Sequence, residues 1–149
     1  MTFDLNLLVI PIPMIIGFAT AFYCRPGKDA GSNVAFRPPS WVFSTIWPIL
    51  YLLFGLGWYF SLKKSGNRTL VHIMNITLTV LLALWLVVYG CGKNKKGAAF
   101  VLLACIATAL MVFAVNSTTG KLLIAPLVAW LIFALLLNTQ EVTNESSAK

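Results

Sequence analysis

Five uncharged, mostly apolar runs make up most of the chain. They cover residues 5–24, 38–62, 69–92, 97–120 and 122–140, and each is between 19 and 25 residues long. A helix of about 20 residues crosses the roughly 30 Å hydrocarbon core of a bilayer. A membrane β-barrel would instead show segments of about 10 residues with alternating polarity. The pattern therefore predicts an all-α integral membrane bundle of five transmembrane helices.

The polar residues between these runs set the predicted boundaries. We predict helices over residues 5–23, 41–62, 70–90, 98–115 and 122–139. Together they form one transmembrane domain over residues 1–140. The connections between helices 2 and 3, 3 and 4, and 4 and 5 are short, so we expect helices 2 to 5 to pack as antiparallel neighbours. The first connection, residues 24–40, is rich in Gly and Pro and is typical of a lid-like loop, with a plain linker as the alternative. The acidic, Ser-rich residues 141–149 predict a disordered tail.

Composition and charge exclude a water-soluble globule. The chain is 59% hydrophobic and 10% charged, whereas soluble domains carry about 25% charged residues. The net charge of +7 comes from Lys and Arg at the helix ends, which anchor helices at headgroups, so we expect membrane lipid and no nucleic acid as partner. Seven of the eleven Lys and Arg residues lie on the side of the membrane that carries the first connection and the C-terminus, and four lie on the other side. Because loops rich in Lys and Arg usually face the cytosol, this predicts a cytosol-facing C-terminus. The sequence does not distinguish the mitochondrial outer membrane from another organelle or a bacterial membrane.

The N-terminal run has a second interpretation as a secretory signal peptide. Leu5–Phe18 could serve as its apolar region, and Ala19-Thr20-Ala21 as its cleavage site. Asp4 and the absence of Lys and Arg before it argue against this interpretation, as do Pro11 and Pro13. We therefore count this run as the first transmembrane helix.

Few side chains in the runs could support catalysis or ion transport. The runs contain no Asp, Glu, Lys or Arg, and His72 follows Arg68 so closely that we expect it at the interface. No His, Cys, Asp or Glu cluster has metal-ligand spacing, so we predict no metal site, no catalytic residue and no required cofactor. Cys24, Cys91 and Cys105 lack a close-spaced motif, and we expect reduced thiols.

The aromatic residues separate by their predicted depth in the membrane. Those near helix ends are interpreted as headgroup anchors: Trp41, Trp58, Tyr59, Trp85 and Tyr89. Trp47 and Trp130 lie deep, where each indole N–H needs a partner, although simple packing is the alternative. Trp47 and Tyr51 begin an aromatic stripe at helical spacing, and Pro48 predicts a bend beside it.

Two motifs resemble the translocator protein family, also called tryptophan-rich sensory proteins. Residues 37–51 read Arg-Pro-Pro-Ser-Trp-Val-Phe-Ser-Thr-Ile-Trp-Pro-Ile-Leu-Tyr, and residues 126–133 read Pro-Leu-Val-Ala-Trp-Leu-Ile-Phe, with Leu137-Asn138 beyond. The resemblance implies a five-helix bundle around an apolar pocket under the first loop. It also implies ligands such as porphyrin, haem, cholesterol and synthetic aromatic drugs.

The resemblance further implies specific ligand-binding positions. These are Trp47, Tyr51, Trp130, Ala134 and Leu137, with Pro38 and Pro39 at the junction between the loop and helix 2. The Tyr and Arg that the family carries after its last helix are replaced here by Thr139-Gln140-Glu141, and helix 3 lacks the family's Asn and its Trp-Pro-Pro. These departures weaken the sterol hypothesis more than the porphyrin one.

The leading hypothesis is a membrane receptor or carrier that binds porphyrin, haem or a related lipid in an aromatic pocket, without catalysis. Three alternatives stay open at this point. The first is light-driven breakdown of the porphyrin, which would make the protein an enzyme, and the second is sterol binding or transport. The third is a structural membrane protein without a ligand, for example a homodimer.

Overall fold

The computed structural model of the chain describes residues 4–24, 35, 40–64 and 66–148. The helices in this part of the chain are α1 (Ile12–Tyr23), α2 (Ser40–Lys64), α3 (Arg68–Leu86), α4 (Lys95–Val115) and α5 (Thr118–Ala148). A 3-10 helix, Leu5–Val9, precedes α1, and a π turn, Val87–Cys91, continues α3. None of the described residues forms a strand, so the prediction of an all-α bundle is confirmed.

Five segments of these helices are long and apolar enough to cross a membrane. They are Leu5–Tyr23, Thr45–Lys64, Arg68–Cys91, Lys95–Val115 and Thr118–Asn144, and their mean hydropathies lie between 1.4 and 2.7. Large apolar side chains also cover the outside of the bundle, as at Phe100, which is 63% exposed. An outer surface of this kind is stable in lipid but not in water. The chain is therefore an integral membrane protein.

Short polar residues fix where the helices begin. Asn67 lies before α3, and its side chain accepts a hydrogen bond from the backbone N–H of Leu70 at 3.0 Å. Asn94 lies before α4 and accepts one from the N–H of Gly97 at 2.9 Å. Each amide satisfies a backbone donor that the first turn of a helix leaves unpaired.

The helices form a closed ring in the order α1, α2, α5, α4, α3. Consecutive helices do not always make the largest contact, because α2 packs more extensively against α5 than against α3. A close approach at Gly55 lets the start of the chain cross α2, since a Cβ there would overlap the carbonyl oxygen of Ile10. The ring brings α2, α3 and α5 together around one interior.

A disulfide bridge joins Cys24, at the end of α1, to Cys91, in the π turn. Their Cα atoms are 4.8 Å apart, although 67 residues separate them in the sequence. The prediction of reduced thiols was wrong for this pair, because the pairing depends on the packing of α1 against α3 and leaves no trace in local spacing. Cys105 is free and buried.

The bridge lies at the end of the bundle that carries the first connection and the C-terminus. Disulfides persist in oxidising compartments, whereas the excess of Lys and Arg at this end favours the cytosol. The two observations therefore favour opposite orientations in the membrane.

The segment predicted to be a disordered tail is helical, because α5 continues to Ala148. Glu141, the first residue of that segment, is 2% exposed and is hydrogen-bonded to Tyr89 and ion-paired with Lys95. The prediction of a tail was wrong because these partners lie on other helices. Composition alone gives no sign of them.

The opposite end of the bundle is closed by a polar cluster around Asp4. The Asp4 carboxylate accepts a hydrogen bond from the Tyr59 hydroxyl at 3.1 Å and lies 3.6 Å from the Lys63 ammonium. The backbone N–H of Asn6, the Tyr59 hydroxyl and the Lys63 charge together lower the pKa of Asp4 below its usual value. We call Asp4, Tyr59 and Lys63 the Asp4 cluster.

We expect the stability that Asp4 contributes to be present at neutral pH and to be lost under acid conditions. A carboxylate whose pKa is lower in the folded state stabilises the protein above its unfolded pKa of about 3.9, and that contribution disappears as the pH falls through the folded value. Thermal unfolding of the wild type and Asp4→Asn between pH 7 and pH 3 checks this. A difference in Tm that grew toward low pH would contradict it.

Reduction of the disulfide bridge should lower the free energy of unfolding by about 2–4 kcal/mol, because the unfolded chain without the cross-link has more conformational entropy. Peptide mapping under non-reducing conditions should find Cys24 linked to Cys91, and the double variant Cys24→Ser/Cys91→Ser should unfold at a lower temperature. Cys105→Ser is the control, since its thiol is free. Equal melting of wild type and double variant would count against a stabilising bridge.

Candidate ligand-binding site

The ring of Trp47 lies at the meeting point of three helices. Its centroid is 5.4 Å from that of Tyr51 on α2, 6.2 Å from that of Trp85 on α3 and 6.4 Å from that of Trp130 on α5. The contact with Trp85 is stacked and the contact with Trp130 is edge-to-face. Both are favourable geometries for aromatic rings. We call Trp47 and the rings around it the Trp47 cluster. Its members are Trp47, Tyr51, Trp85 and Trp130, with Phe18, Tyr89 and Phe133 one contact further out.

The Trp47 cluster extends in two directions. Tyr89 stacks on Trp85 with a centroid distance of 5.1 Å, toward the π turn. Phe133 lies 5.2 Å from Trp130, toward the outside of α5. A nearly continuous aromatic surface thus connects the interior of the bundle with its α5 face.

The structure brings together most of the predicted site residues. Trp47, Tyr51 and Trp130 form the cluster described above, and Ala134 lies one turn beyond Trp130 and packs against the core. Leu137, on the same side of α5, is buried at 6% exposure. Pro38 and Pro39 lie outside the described residues, and the loop contacts expected of them stay a prediction.

Two members of the cluster were missed from the sequence. Trp85 and Tyr89 were assigned to the headgroup region, yet Tyr89 is only 6% exposed and Trp85 stacks on Trp47. Their spacing of four residues repeats that of Trp47 and Tyr51, and this repeat was the available signal.

Trp58 was also assigned to the headgroup region and is buried instead. It is 1% exposed, and its indole N–H donates to Nδ1 of His72 at 3.2 Å. Trp41, in contrast, is 66% exposed, as a headgroup anchor should be. His72 therefore acts as the hydrogen-bond partner of a core tryptophan.

An apolar groove of about 450 Å³ runs between α2 and α5 beside the Trp47 cluster. The residues that line it are Ile46, Ile49, Leu50, Leu53, Pro126, Ala129, Trp130 and Phe133. Trp130 belongs to both the groove and the cluster. Since small-molecule sites in proteins usually measure about 300–1,000 Å³, the groove is large enough for a ligand.

Gly17 of α1 allows the ring of Tyr51 to lie flat against the helix. A Cβ at Gly17 would stand 2.6 Å from Cε2 and 2.8 Å from the hydroxyl oxygen of Tyr51, which is too close for either atom. Phe18 adds an edge-to-face contact to the same ring at 6.2 Å. Gly17 thus forms one wall of the cluster.

The surface of the candidate site is apolar and aromatic. Every residue that lines the groove is apolar or aromatic. Within the described part of the chain, no group of three or more His, Cys, Asp or Glu side chains could hold a metal ion. Stacking, edge contacts and burial are the interactions that these side chains offer.

The fold and the site together define an integral membrane protein with five spans, an aromatic cluster where three helices meet and an apolar groove beside it. The model of the TspO/MBR family matches residues 9–142, and the chain belongs to this family. The tryptophan-rich protein TspO of Archaeoglobus fulgidus is 29% identical over 132 residues, which cover 84% of this chain and 86% of that protein. The family identification made from the two motifs is confirmed, and with it a general role in membrane sensing or ligand binding.

Gly17→Ala should destabilise the protein by about 1–3 kcal/mol, because the new methyl group displaces the buried Tyr51 ring. Combining it with Tyr51→Phe, which removes one of the three Tyr51 atoms that the new methyl group would overlap, should recover part of the loss. Thermal unfolding in detergent measures both effects. Gly66→Ala is the control, since a Cβ there meets no atom within 4 Å. Equal losses at the two glycines would show that Gly17 has no special packing role.

Proposed function

We propose that the protein binds a flat, hydrophobic tetrapyrrole, such as porphyrin or haem, against Trp47, Tyr51 and Trp130. The observation that carries the proposal is the position of Trp130, which joins the Trp47 cluster to an apolar groove of about 450 Å³. A planar macrocycle lying in this groove would meet aromatic rings on one side and aliphatic side chains on the other. As a receptor or carrier, the protein needs no further cofactor for this function.

The energy of such binding follows from the area that the ligand would bury. About 300 Å² of apolar ligand surface contributes roughly 7 kcal/mol at about 25 cal/mol per Å². Ordering of the ligand and of side chains reduces this value, so we expect dissociation constants in the micromolar range. The same groove suits cholesterol or a synthetic aromatic drug by shape, but a sterol gains less from stacking because it has no extended π system.

Trp47→Ala and Trp130→Ala should each weaken binding of a free-base porphyrin at least tenfold, or about 1.4 kcal/mol. Trp130 lines the groove, and Trp47 packs edge-to-face against it from the interior of the bundle, so each change removes a ring of the proposed site or its support. The dissociation constant is measured from the absorbance shift of the porphyrin during titration into the detergent-solubilised protein.

Trp58→Ala is the matched control for these variants. It also removes a buried indole, but eleven residues and about 16 Å further along α2. We expect it to lower Tm while the folded protein keeps its affinity within twofold. Unchanged affinity in Trp47→Ala and Trp130→Ala, or an equal loss in all three variants, would contradict binding at this site.

Light-driven, oxygen-dependent breakdown of a bound porphyrin is the second candidate function. The observation that favours it is the row of rings Trp130, Trp47, Trp85 and Tyr89, whose successive centroids lie 6.4, 6.2 and 5.1 Å apart. Such rings could exchange electrons with an excited porphyrin. A loss of porphyrin absorbance that needs both light and oxygen, and that Trp130→Phe abolishes, would favour this function over binding alone.

A further inference from the structure

Glu141 is an unusual side chain for the interior of a membrane protein. It is 2% exposed and lies on α5, within the candidate span Thr118–Asn144. An unpaired carboxylate at such a position would be very costly. The structural role of Glu141 therefore follows from the groups that its carboxylate pairs with.

The carboxylate binds two other parts of the bundle. The hydroxyl of Tyr89 in the π turn lies 2.9 and 2.8 Å from its two oxygens, to which it donates. The ammonium of Lys95, at the start of α4, lies 3.1 Å from Oε2. The carboxylate is buried although the Lys95 side chain is 30% exposed, and a charge-assisted hydrogen bond to a buried carboxylate is stronger than the same contact in water.

The side-chain amide of Asn138 extends this network to the indole of Trp85. Asn138, one turn before Glu141 on α5, donates to the backbone carbonyl of Lys95 at 2.9 Å. Its side-chain oxygen accepts a hydrogen bond from the indole N–H of Trp85 at 3.3 Å. Trp85 is thus held at its nitrogen by α5 and at its ring face by Tyr89.

The π turn explains how Tyr89 reaches both partners. Single π turns within helices change the direction of the side chains that follow, and they are frequent at functional sites. Here the turn places the Tyr89 ring on Trp85 and its hydroxyl on Glu141. Cys91 ends the same turn and ties it to α1 through the disulfide.

Glu141 also continues the face of α5 that carries the binding positions. Trp130, Ala134, Leu137 and Glu141 follow one another at intervals of four, three and four residues, so they lie on one side of the helix. The aromatic site and the polar network are therefore two parts of one surface.

We propose that Glu141 is the positioning residue of the binding site: through Tyr89 it holds Trp85 stacked on Trp47, while Asn138, one turn earlier on α5, separately holds the indole N–H of Trp85. Glu141 does not touch the ligand in this arrangement. It sets the orientation of Trp85 and, through the ring of Trp47, that of Trp130, which lines the groove. The ligand part of the inference rests on the proposed function, whereas the placement of the rings does not.

Two variants test the network with little change in volume. Glu141→Gln removes the charge, and Tyr89→Phe removes one hydroxyl group. We expect each to weaken porphyrin binding about tenfold and the double variant to be no more than about twofold weaker than either single variant, because both act through one contact. Tyr89→Phe keeps the proposal testable if Glu141→Gln folds poorly.

The Asp4 cluster at the other end of the bundle is the matched control. Asp4→Asn removes a carboxylate that also pairs with a tyrosine and a lysine, and these two partners, Tyr59 and Lys63, lie twelve and sixteen residues beyond Trp47 on α2. We expect Asp4→Asn to lower Tm while porphyrin affinity stays within twofold. An equal loss of affinity in Asp4→Asn and Glu141→Gln would assign the effect to stability and overturn the proposal.

Near-ultraviolet circular dichroism of the ligand-free protein separates this proposal from the proposed function. Stacked indoles give a coupled signal, which Glu141→Gln and Tyr89→Phe should reduce by about half while Asp4→Asn leaves it unchanged. If the wild type binds no porphyrin, the proposed function fails, and a reduced signal still supports the positioning role. An unchanged signal in both network variants overturns it.

Discussion

Three helices meet at the ring of Trp47, and the interior of the bundle depends on this meeting. Its neighbours Tyr51, Trp85 and Trp130 come from α2, α3 and α5, and α4 separates the last of these from the other two along the chain. Aromatic pairs contribute about 0.5–1.5 kcal/mol beyond the burial of their area. In a lipid environment, where apolar surface alone gives helices little reason to associate, such directional contacts decide which faces pack together.

Polar groups occupy the two ends of this aromatic interior, and the two ends differ. Asp4 and Lys63 are partly exposed, so their ion pair is screened and contributes little. Glu141 is almost fully buried, and the loss of one of its partners would leave a charge without compensation. The first pair closes the bundle, whereas the second is part of the structure that shapes the site.

The sequence predicted the parts of the fold that depend on local pattern. Five spans follow from run length and hydropathy, whereas the depth of Trp47 and Trp130 in the membrane stays a prediction. The assignment of Trp58 and Tyr89 to headgroups was wrong because distance along a helix does not show which face is turned inward. The bridge between Cys24 and Cys91 depends on how helices pack, and so do the partners of Glu141. No pattern in a single sequence shows such packing.

The contrast between apolar and polar parts of the site also bears on ligand choice. An apolar pocket separates similar ligands by only about 1–3 kcal/mol, because one methylene more or less changes little. Polar groups discriminate more strongly, since a mismatched partner leaves them unpaired. In this chain Glu141 lies in the segment where the family resemblance leads one to expect Tyr and Arg. Because Glu141 does not touch the ligand in the proposed arrangement, it would act on ligand choice only through the orientation of the rings around Trp47.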